Sequence, residues 1–284
     1  MMDIYEGWFA GYTAEIRGRI SGTFFTQTDT HINCSWNSME HFDIPAVLDE
    51  VDLKIEHTYH VRDRCREIAQ WLKLSDRDIE LAATVGLLHD LGRFRQAMQF
   101  GTMDDRITGP HGEMSADVFL RDVPKENLSD EEITIIYESL HYHNVFKLPK
   151  TLTGKSLFFT QLVRDGDKLD IFRFYTDKQE KRGFRFIMSA EDGECSPDML
   201  AGVLRAENLQ VRSIRNKNDR KLMQVSLVYD MNFGYSFSWM LEKDYLAKIT
   251  GVAEGIADEV MQEVYNYATN WMKQKEKVKQ VSHI

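Results

Sequence analysis

Proline and cysteine are scarce in this chain, so neither a proline-rich scaffold nor a disulfide framework is expected. The 284 residues include 5 prolines and 3 cysteines. The cysteines are Cys34, Cys65 and Cys195, and their odd number and wide spacing match neither a zinc finger nor paired disulfides. We therefore expect free thiols in a reducing compartment, and we place the protein in the cytoplasm.

Long apolar runs and a basic N-terminal segment are also absent. No stretch approaches the ~18 apolar residues that a membrane span needs, and Asp3 and Glu6 lie where a signal peptide would carry basic residues. Acidic residues outnumber basic ones by 45 to 35, which gives a net charge of −10. Because this negative charge repels phosphate backbones, we do not expect non-specific nucleic-acid binding. The missing apolar span argues against a membrane partner. A homo-oligomer stays possible.

Apolar residues at helical spacing dominate what is present, and no run alternates as a half-buried strand would. Helices are expected to begin at His57, at Ser75, near His111, at the capping box Ser129–Glu132, after Gly154 and at Ser196. The helix that begins at Ser75 is expected to end at Gly92. A last helix is expected to carry one apolar stripe from Ile249 to Trp271. Residues 176–196 are charged and contain glycine, which favours a loop or a weak domain boundary. The sequence predicts an all-α fold.

Histidines and aspartates recur at the ends and inner faces of these helices. The recurring residues are His57, His89 with Asp90, His111, His143 and Asp167. Burying such groups without partners would cost several kcal/mol. Imidazole nitrogens and carboxylate oxygens that converge from several helices are the ligands that a divalent transition metal requires. The pattern therefore predicts a metal site.

The order of these residues resembles the HD-domain superfamily of metal-dependent phosphohydrolases. The motifs that carry the likeness are EHTYHV, GLLHDLGRF, HYH and VRDGDKLD, within about residues 50–175. The resemblance implies an HD-domain helical bundle over residues 51–175. An N-terminal helical extension would cover residues 1–50, and a C-terminal helical region over residues 176–284 would pack on the HD domain.

The resemblance also implies two divalent ions, which could be Mn²⁺, Fe²⁺, Ni²⁺ or Mg²⁺. The first ion would be bound by His57, His89, Asp90 and Asp167, and the second by Asp90, His111 and His143. We choose His143 from the HYH motif because it follows the apolar face of Ile136 and Leu140. His141 is then interpreted as a contact to substrate or to a ligand.

Two cations are candidates for binding the substrate phosphate. Arg93 stands where the family's HDxGK pattern has lysine, so Asp90 and Arg93 are the predicted catalytic residues. Lys168 would either contact phosphate or pair with Asp165 or Asp170, and both alternatives stay open. The motif MDDR at residues 103–106 is either an active-site loop or a solvated turn, and the solvated turn is the favoured interpretation.

Two departures from the family narrow the expectation. The segment HYHNVFKLP lacks the GYP signature of members that cleave cyclic dinucleotides, which argues against such a substrate. Leu53 occupies the position where three-metal members carry glutamate, which argues against a third ion.

The leading functional hypothesis is hydrolysis of a phosphoester of a nucleotide or small phosphometabolite by a metal-activated hydroxide. Two alternatives stay open. A diiron oxygenase resembling myo-inositol oxygenase uses the same scaffold with four histidines and two aspartates, and iron-dependent oxygen uptake would reveal it. A non-catalytic nucleotide-binding sensor would have lost metal ligands, whereas all six are present in this sequence.

Overall fold

The computed structural model describes residues 2–22, 43–177 and 191–277. The described residues contain helices and no strand, which confirms the all-α prediction. The helices are α1 Met2–Ile20, α2 Ile44–Trp71, α3 Asp76–Leu88, α4 Leu91–Phe100, α5 Asp105–Thr108, α6 His111–Asp122, α7 Asp130–Tyr142, α8 Gly154–Asp177, α9 Pro197–Leu204, α10 Lys217–Ser226, α11 Gly234–Lys243, α12 Tyr245–Thr250 and α13 Glu259–Glu276, with 3-10 turns at Val211–Ser213 and Leu227–Asp230. In these ranges no helix is both long and apolar enough to cross a bilayer.

The chain divides into two compact units, Met1–Val163 and Arg164–Ile284, and the division falls inside α8. The domain limits expected near residues 50 and 175 stay predictions. Cys34 and most of the predicted loop over 176–196 lie outside the described residues.

The core of the first unit forms where α2 packs against α3. Val61, Cys65 and Ile68 on α2 are fully buried, as are Val85 and other apolar residues of α3. A side chain on Gly86 would lie 2.9 Å from the Cα atom of Arg62 and from Sγ of Cys65. The missing side chain therefore allows α2 and α3 to approach closely. The remaining helices extend this pair, since α1 packs on α2, α3 and α4, and α6 packs on α4 and α7.

Helix α2 begins well before His57, so the prediction that His57 opens a helix was wrong. The helix starts at Ile44, where the Asp43 side chain accepts a hydrogen bond from the Ala46 backbone N–H. Pro45 stands in the first turn, a position that proline favours because its missing N–H is not needed there. His57 consequently lies in the middle of a 28-residue helix.

Gly92 does not end a helix, which corrects a second prediction. Helix α3 ends at Leu88, the chain turns at His89 and Asp90, and α4 begins at Leu91 with Gly92 inside it. Gly92 does not terminate a helix. Its lack of a side chain allows the first turn of α6 to pack against α4.

The expected last helix is two helices. Helix α12 ends at Thr250, and α13 begins at Glu259 behind the capping side chain of Asp258. Gly251 and Gly255 adopt φ values of 83° and 69°, which an L side chain rarely adopts, and Ile256 is 77% exposed. The helical spacing of apolar residues in the sequence thus continues from α12 into α13, although the two glycines interrupt the helix between them.

A buried carboxylate joins two helices of the second unit. Asp165 on α8 accepts hydrogen bonds from the backbone N–H groups of Asn232 and Phe233 and from Oγ of Ser236. Burial raises the pKa of Asp165, although the charge of Lys168 and these hydrogen bonds oppose the increase. The network fixes the start of α11 relative to α8.

Candidate metal centre

Five buried side chains meet around Asp90 in the first unit. His57 comes from the middle of α2, His89 from the end of α3, Asp90 from the start of α4, His111 from the first residue of α6 and His143 from the end of α7. None of the five is more than 6% exposed. They form two groups that share Asp90, one with His57 and His89 and the other with His111 and His143, and the potential ligand atoms of each group lie within 4.8 Å of one another.

The two carboxylate oxygens of Asp90 face different pairs of histidines. Oδ2 lies 3.3 Å from Nε2 of His89 and 3.7 Å from Nε2 of His57. Oδ1 lies 3.3 Å from Nε2 of His111 and 3.8 Å from Nε2 of His143. One carboxylate oxygen is thus available to each pair, which is the arrangement that a carboxylate bridging two cations requires.

Hydrogen bonds at Nδ1 determine which nitrogen of three histidines can bind a metal. The acceptors are the Gly86 carbonyl for His89 (2.7 Å), the Leu140 carbonyl for His143 (2.7 Å) and the Asp105 carboxylate for His111 (2.7 Å). A carbonyl or carboxylate oxygen can only accept, so each Nδ1 carries the hydrogen. In the neutral ring Nε2 then bears the lone pair, and Nε2 is the atom that faces Asp90.

His111 and His143 supply the sharpest test of whether a cation fits. Their Nε2 atoms lie 3.0 Å apart. Burial and the charge of Arg93 lower the pKa of His111 to about 3, although the Asp105 hydrogen bond opposes them, so this ring is neutral near pH 7. Two lone pairs facing each other at this distance repel unless a proton or a cation lies beside both. The donor set of imidazole nitrogens and one carboxylate suits a divalent transition ion.

Lys54 contributes a positive charge to the centre that the sequence reasoning missed. Its Nζ atom lies 2.7 Å from Oδ2 of Asp90, and its side chain is 13% exposed. Burial acts to raise the pKa of Asp90, but the charge of Lys54, together with the neighbouring His89 and His143, outweighs it and holds the pKa well below its usual value. Asp90 is therefore ionised. The spacing of Lys54 three residues before His57 would have placed it on the same helix face had α2 been extended to Ile44.

Two glycines bring the helix ends of the centre together. A side chain on Gly92 would overlap the backbone oxygen of His111 and lie 2.8 Å from Cβ of Met114. A side chain on Gly112 would lie 2.5 Å from Oδ1 of Asn144 and 2.8 Å from the His141 carbonyl oxygen. Because both positions lack a side chain, the start of α6 fits between the start of α4 and the end of α7. His111 is placed between Asp90 and His143 for this reason.

The MDDR segment is not a solvated turn, which corrects another prediction. Asp105 accepts hydrogen bonds from Nδ1 of His111, from Nη1 of Arg93 (2.8 Å) and from Nε2 of Gln96 (2.9 Å). Burial acts to raise the pKa of Asp105, but the bond from His111 and the nearby charges lower it to about 2. The contact itself was not predicted, because no local spacing rule relates Asp105 to His111.

Both predicted phosphate-binding cations form ion pairs within the protein. Arg93 bonds through Nη1 to Asp105 and to the Met103 carbonyl, and its Nε atom lies 3.9 Å from Oδ1 of Asp90. Lys168 pairs at 2.7 Å with Asp230 on the 3-10 turn of the second unit. The alternative that Lys168 pairs with Asp165 or Asp170 is therefore corrected, since Asp230 is its ion-pair partner. Their roles at a substrate phosphate stay predictions.

Asp167 and His141 lie outside both groups of potential ligands. Asp167 is on the part of α8 that belongs to the second unit, and it is half-buried. His141 is in the last turn of α7, where its ring stacks on Tyr137 with centroids 5.8 Å apart. The roles that the sequence assigned to these two residues stay predictions.

An all-helical scaffold with a histidine–aspartate pair at a helix junction, surrounded by further helix-end histidines, defines the class of this domain. Residues 55–170 match the family model of the HD domain. The match assigns this part of the chain, residues 55–170, to the HD-domain family. No curated protein and no solved structure matches the chain.

Proposed function

We propose that the protein is a metal-dependent phosphohydrolase acting on a phosphoester of a nucleotide or another small phosphometabolite. The observation that supports this most is the position of Asp90, whose two oxygens face two separate pairs of imidazole Nε2 atoms. His57 and His89 would hold one ion, and His111 and His143 the other. Asp167 would complete the first set, as the family resemblance implies.

Two divalent ions in such a centre supply Lewis acidity and a hydroxide nucleophile at neutral pH. The protein's part is to present neutral imidazoles and one ionised carboxylate from rigid helix ends. Because all five side chains are buried, water competes little for the ligand atoms. The hydrogen bonds at Nδ1 keep the rings of His89, His111 and His143 turned with Nε2 toward Asp90.

Positive charge beside the centre supports an anionic substrate. Lys54 lies on the Oδ2 side of Asp90 at 2.7 Å, and Arg93 lies on the Oδ1 side at 3.9 Å. Fixed cations near a reacting phosphoryl group stabilise the negative charge that accumulates on its oxygens. This charge arrangement favours phosphoester hydrolysis over oxidation of an uncharged polyol.

The proposal is tested by metal analysis followed by assays on a panel of phosphoesters with Mn²⁺, Fe²⁺, Ni²⁺ or Mg²⁺. We expect two ions per chain and hydrolysis that a chelator abolishes and fresh metal restores. His57→Ala should lose activity, whereas His60→Ala should keep it. His60 is the matched control because it lies one turn further along α2, is 37% exposed and pairs with Glu56.

A different pair of results would contradict the hydrolase proposal. If no phosphoester is hydrolysed with any of the four metals, and the iron-loaded protein consumes oxygen with a polyol or a phosphonate, the hydrolase proposal is wrong. Oxygen uptake should therefore be recorded on the same preparations.

A further inference from the structure

The imidazole ring of His111 lies between two carboxylates. On one side its Nε2 atom is 3.3 Å from Oδ1 of Asp90. On the other side its Nδ1 atom is 2.7 Å from Oδ2 and 3.0 Å from Oδ1 of Asp105. The ring therefore donates to Asp105 and presents its lone pair toward Asp90.

Asp105 is itself held in place by two residues of α4. Its Oδ1 atom accepts from Nη1 of Arg93 at 2.8 Å and from Nε2 of Gln96 at 2.9 Å. Gln96 is fully buried, and Nε2 also lies within hydrogen-bond distance of the Gly109 carbonyl, two residues before His111. Because α4 begins directly after Asp90, these bonds tie the orientation of His111 to the helix that follows the bridging carboxylate.

Asn144 offers His111 the opposite hydrogen-bonding arrangement. Its side-chain amide nitrogen lies 3.0 Å from the same Nδ1 atom. Nδ1 cannot donate to Asp105 and accept from Asn144 at once, and the shorter bond to a charged acceptor prevails. If Asp105 were neutral, the Asn144 amide would donate to Nδ1. The hydrogen would then move to Nε2, and that nitrogen could no longer bind a metal.

We propose that Asp105 is a positioning residue that keeps Nε2 of His111 free for the second metal ion, and that Arg93 acts through Asp105. This inference rests on the proposed two-ion centre and adds a role for the 103–106 segment. Outer carboxylates that orient a metal-binding histidine typically change metal affinity about 10- to 100-fold when they are removed.

The test compares Asp105→Asn with Asp104→Asn. Asp104 is the matched control, because it lies in the same segment and its carboxylate bonds Arg106 rather than a histidine. It also caps α5, a role that asparagine performs equally well. Titration with Mn²⁺ by calorimetry should show the second ion binding about 10- to 100-fold more weakly to Asp105→Asn, with the first ion unchanged. Asp104→Asn should bind both ions as the unaltered protein does.

A tautomer measurement separates orientation from general stability. Nitrogen-15 shifts of the His111 ring in the metal-free protein should report hydrogen on Nδ1 in the unaltered chain and on Nε2 in Asp105→Asn. The double variant Asp105→Asn with Asn144→Asp should restore the Nδ1 hydrogen and the second ion, because it puts a carboxylate within reach of the same nitrogen. A structural defect at residue 105 would not be repaired in this way.

The outcomes distinguish this inference from the proposed function. If the unaltered protein binds two ions and Asp105→Asn binds the second as tightly as Asp104→Asn does, the positioning role is wrong while the two-ion centre stands. If the unaltered protein binds no second ion, the proposed function fails, and the tautomer measurement still decides whether Asp105 controls His111. Arg93→Met should weaken the second ion as well. A change in KM alone would show that Arg93 acts on the substrate and overturn its role through Asp105.

Discussion

Nζ of Lys54 lies 2.7 Å from Oδ2 of Asp90, and this ion pair joins the middle of α2 to the start of α4. Both side chains are largely buried, at 13% and 2% exposure. In the metal-free protein, Lys54 is the charge that compensates the buried Asp90 carboxylate. A metal ion bound at Oδ2 would supply positive charge at the same oxygen.

Lys54→Met should therefore destabilise the metal-free protein more than the metal-loaded protein. Leaving a buried carboxylate without its partner costs about 3 kcal/mol, and a bound ion should recover most of that loss. Thermal melting with and without Mn²⁺ measures both states. Lys155→Met is the control, because its pair with Asp78 is longer, at 3.7 Å, and its side chain is 37% exposed. Equal melting temperatures for the metal-free variant and the unaltered protein would contradict the expectation.

Removing the metal should lower the melting temperature of the unaltered protein. The candidate ligands come from α2, α3, α4, α6 and α7, so a bound ion links segments that are distant in the chain. Binding to the folded state alone stabilises it by about 2.7 kcal/mol at a free metal concentration 100 times the Kd. A melting curve that does not move after chelation, with metal loss verified by elemental analysis, would indicate that the histidines are structural.

His143→Ala and His141→Ala should differ in metal content. His143 belongs to the group with Asp90 and His111, and its Nδ1 hydrogen bond to Leu140 turns Nε2 inward. Its loss should remove the second ion and most phosphoester turnover while the first ion stays bound. His141→Ala should keep both ions, since its ring stacks on Tyr137 instead. Metal stoichiometry measured beside kcat decides, and the reverse pattern would make His141 the ligand.

Two helix starts were predictable because their signals are local. The capping box Ser129–Glu132 and the cap at Ser75 lie within one turn of the helices they begin, and both are present. Lys54 and Asp105 were missed for a different reason. Their contacts depend on how α2 and the loop before α6 pack, and no spacing rule encodes packing between elements.

The wrong helix end predicted at Gly92 also reflects packing that local sequence patterns do not encode. Glycine at the end of an apolar helical run indicates a terminus when only the local chain is considered. Here the residue is required because the first turn of α6 packs directly against it, and its backbone N–H donates to Oγ of Ser115 at 2.8 Å. The packing of α6 against Gly92 could not be predicted from the residues next to it in the chain.

Gly92→Ala should therefore damage the second metal position more than the first. The added methyl group would push α6 away from α4 and move His111, while His57 and His89 come from α2 and α3. Overpacking of this kind costs roughly 1–3 kcal/mol, occasionally more. Calorimetric titration with Mn²⁺ and a thermal melt measure the two effects. Gly7→Ala in α1, which has no neighbouring atom within 4 Å, should leave both unchanged or slightly raise stability.

An ion pair remote from the metal centre predicts a pH dependence of stability. Arg77 in the first turn of α3 bonds both carboxylate oxygens of Glu132 in the first turn of α7, at 2.5 and 2.8 Å. The hydrogen bond from Arg77 is the main cause that lowers the pKa of Glu132 to about 2, with burial opposing it and the bonds from Ser129 adding to it. The pair fixes α3 relative to α7 at their beginnings, and His89 and His143 directly follow the last residues of these two helices.

Because the folded pKa of Glu132 lies below its unfolded value of 4.5, the unfolded chain binds more protons between these values. The stabilisation is thus complete above about pH 4.5 and is lost as the pH falls toward 2. Glu132→Gln should cost about 1 kcal/mol at pH 7, a modest value since Arg77 is 45% exposed. Glu131→Gln, one residue earlier and exposed, controls for the charge at the start of the helix. Urea unfolding in chelator from pH 7 to pH 3.5 should show the difference between the two variants shrinking below pH 4.5. A difference that stays constant over this range would mean that the charge of Glu132 does not stabilise the fold.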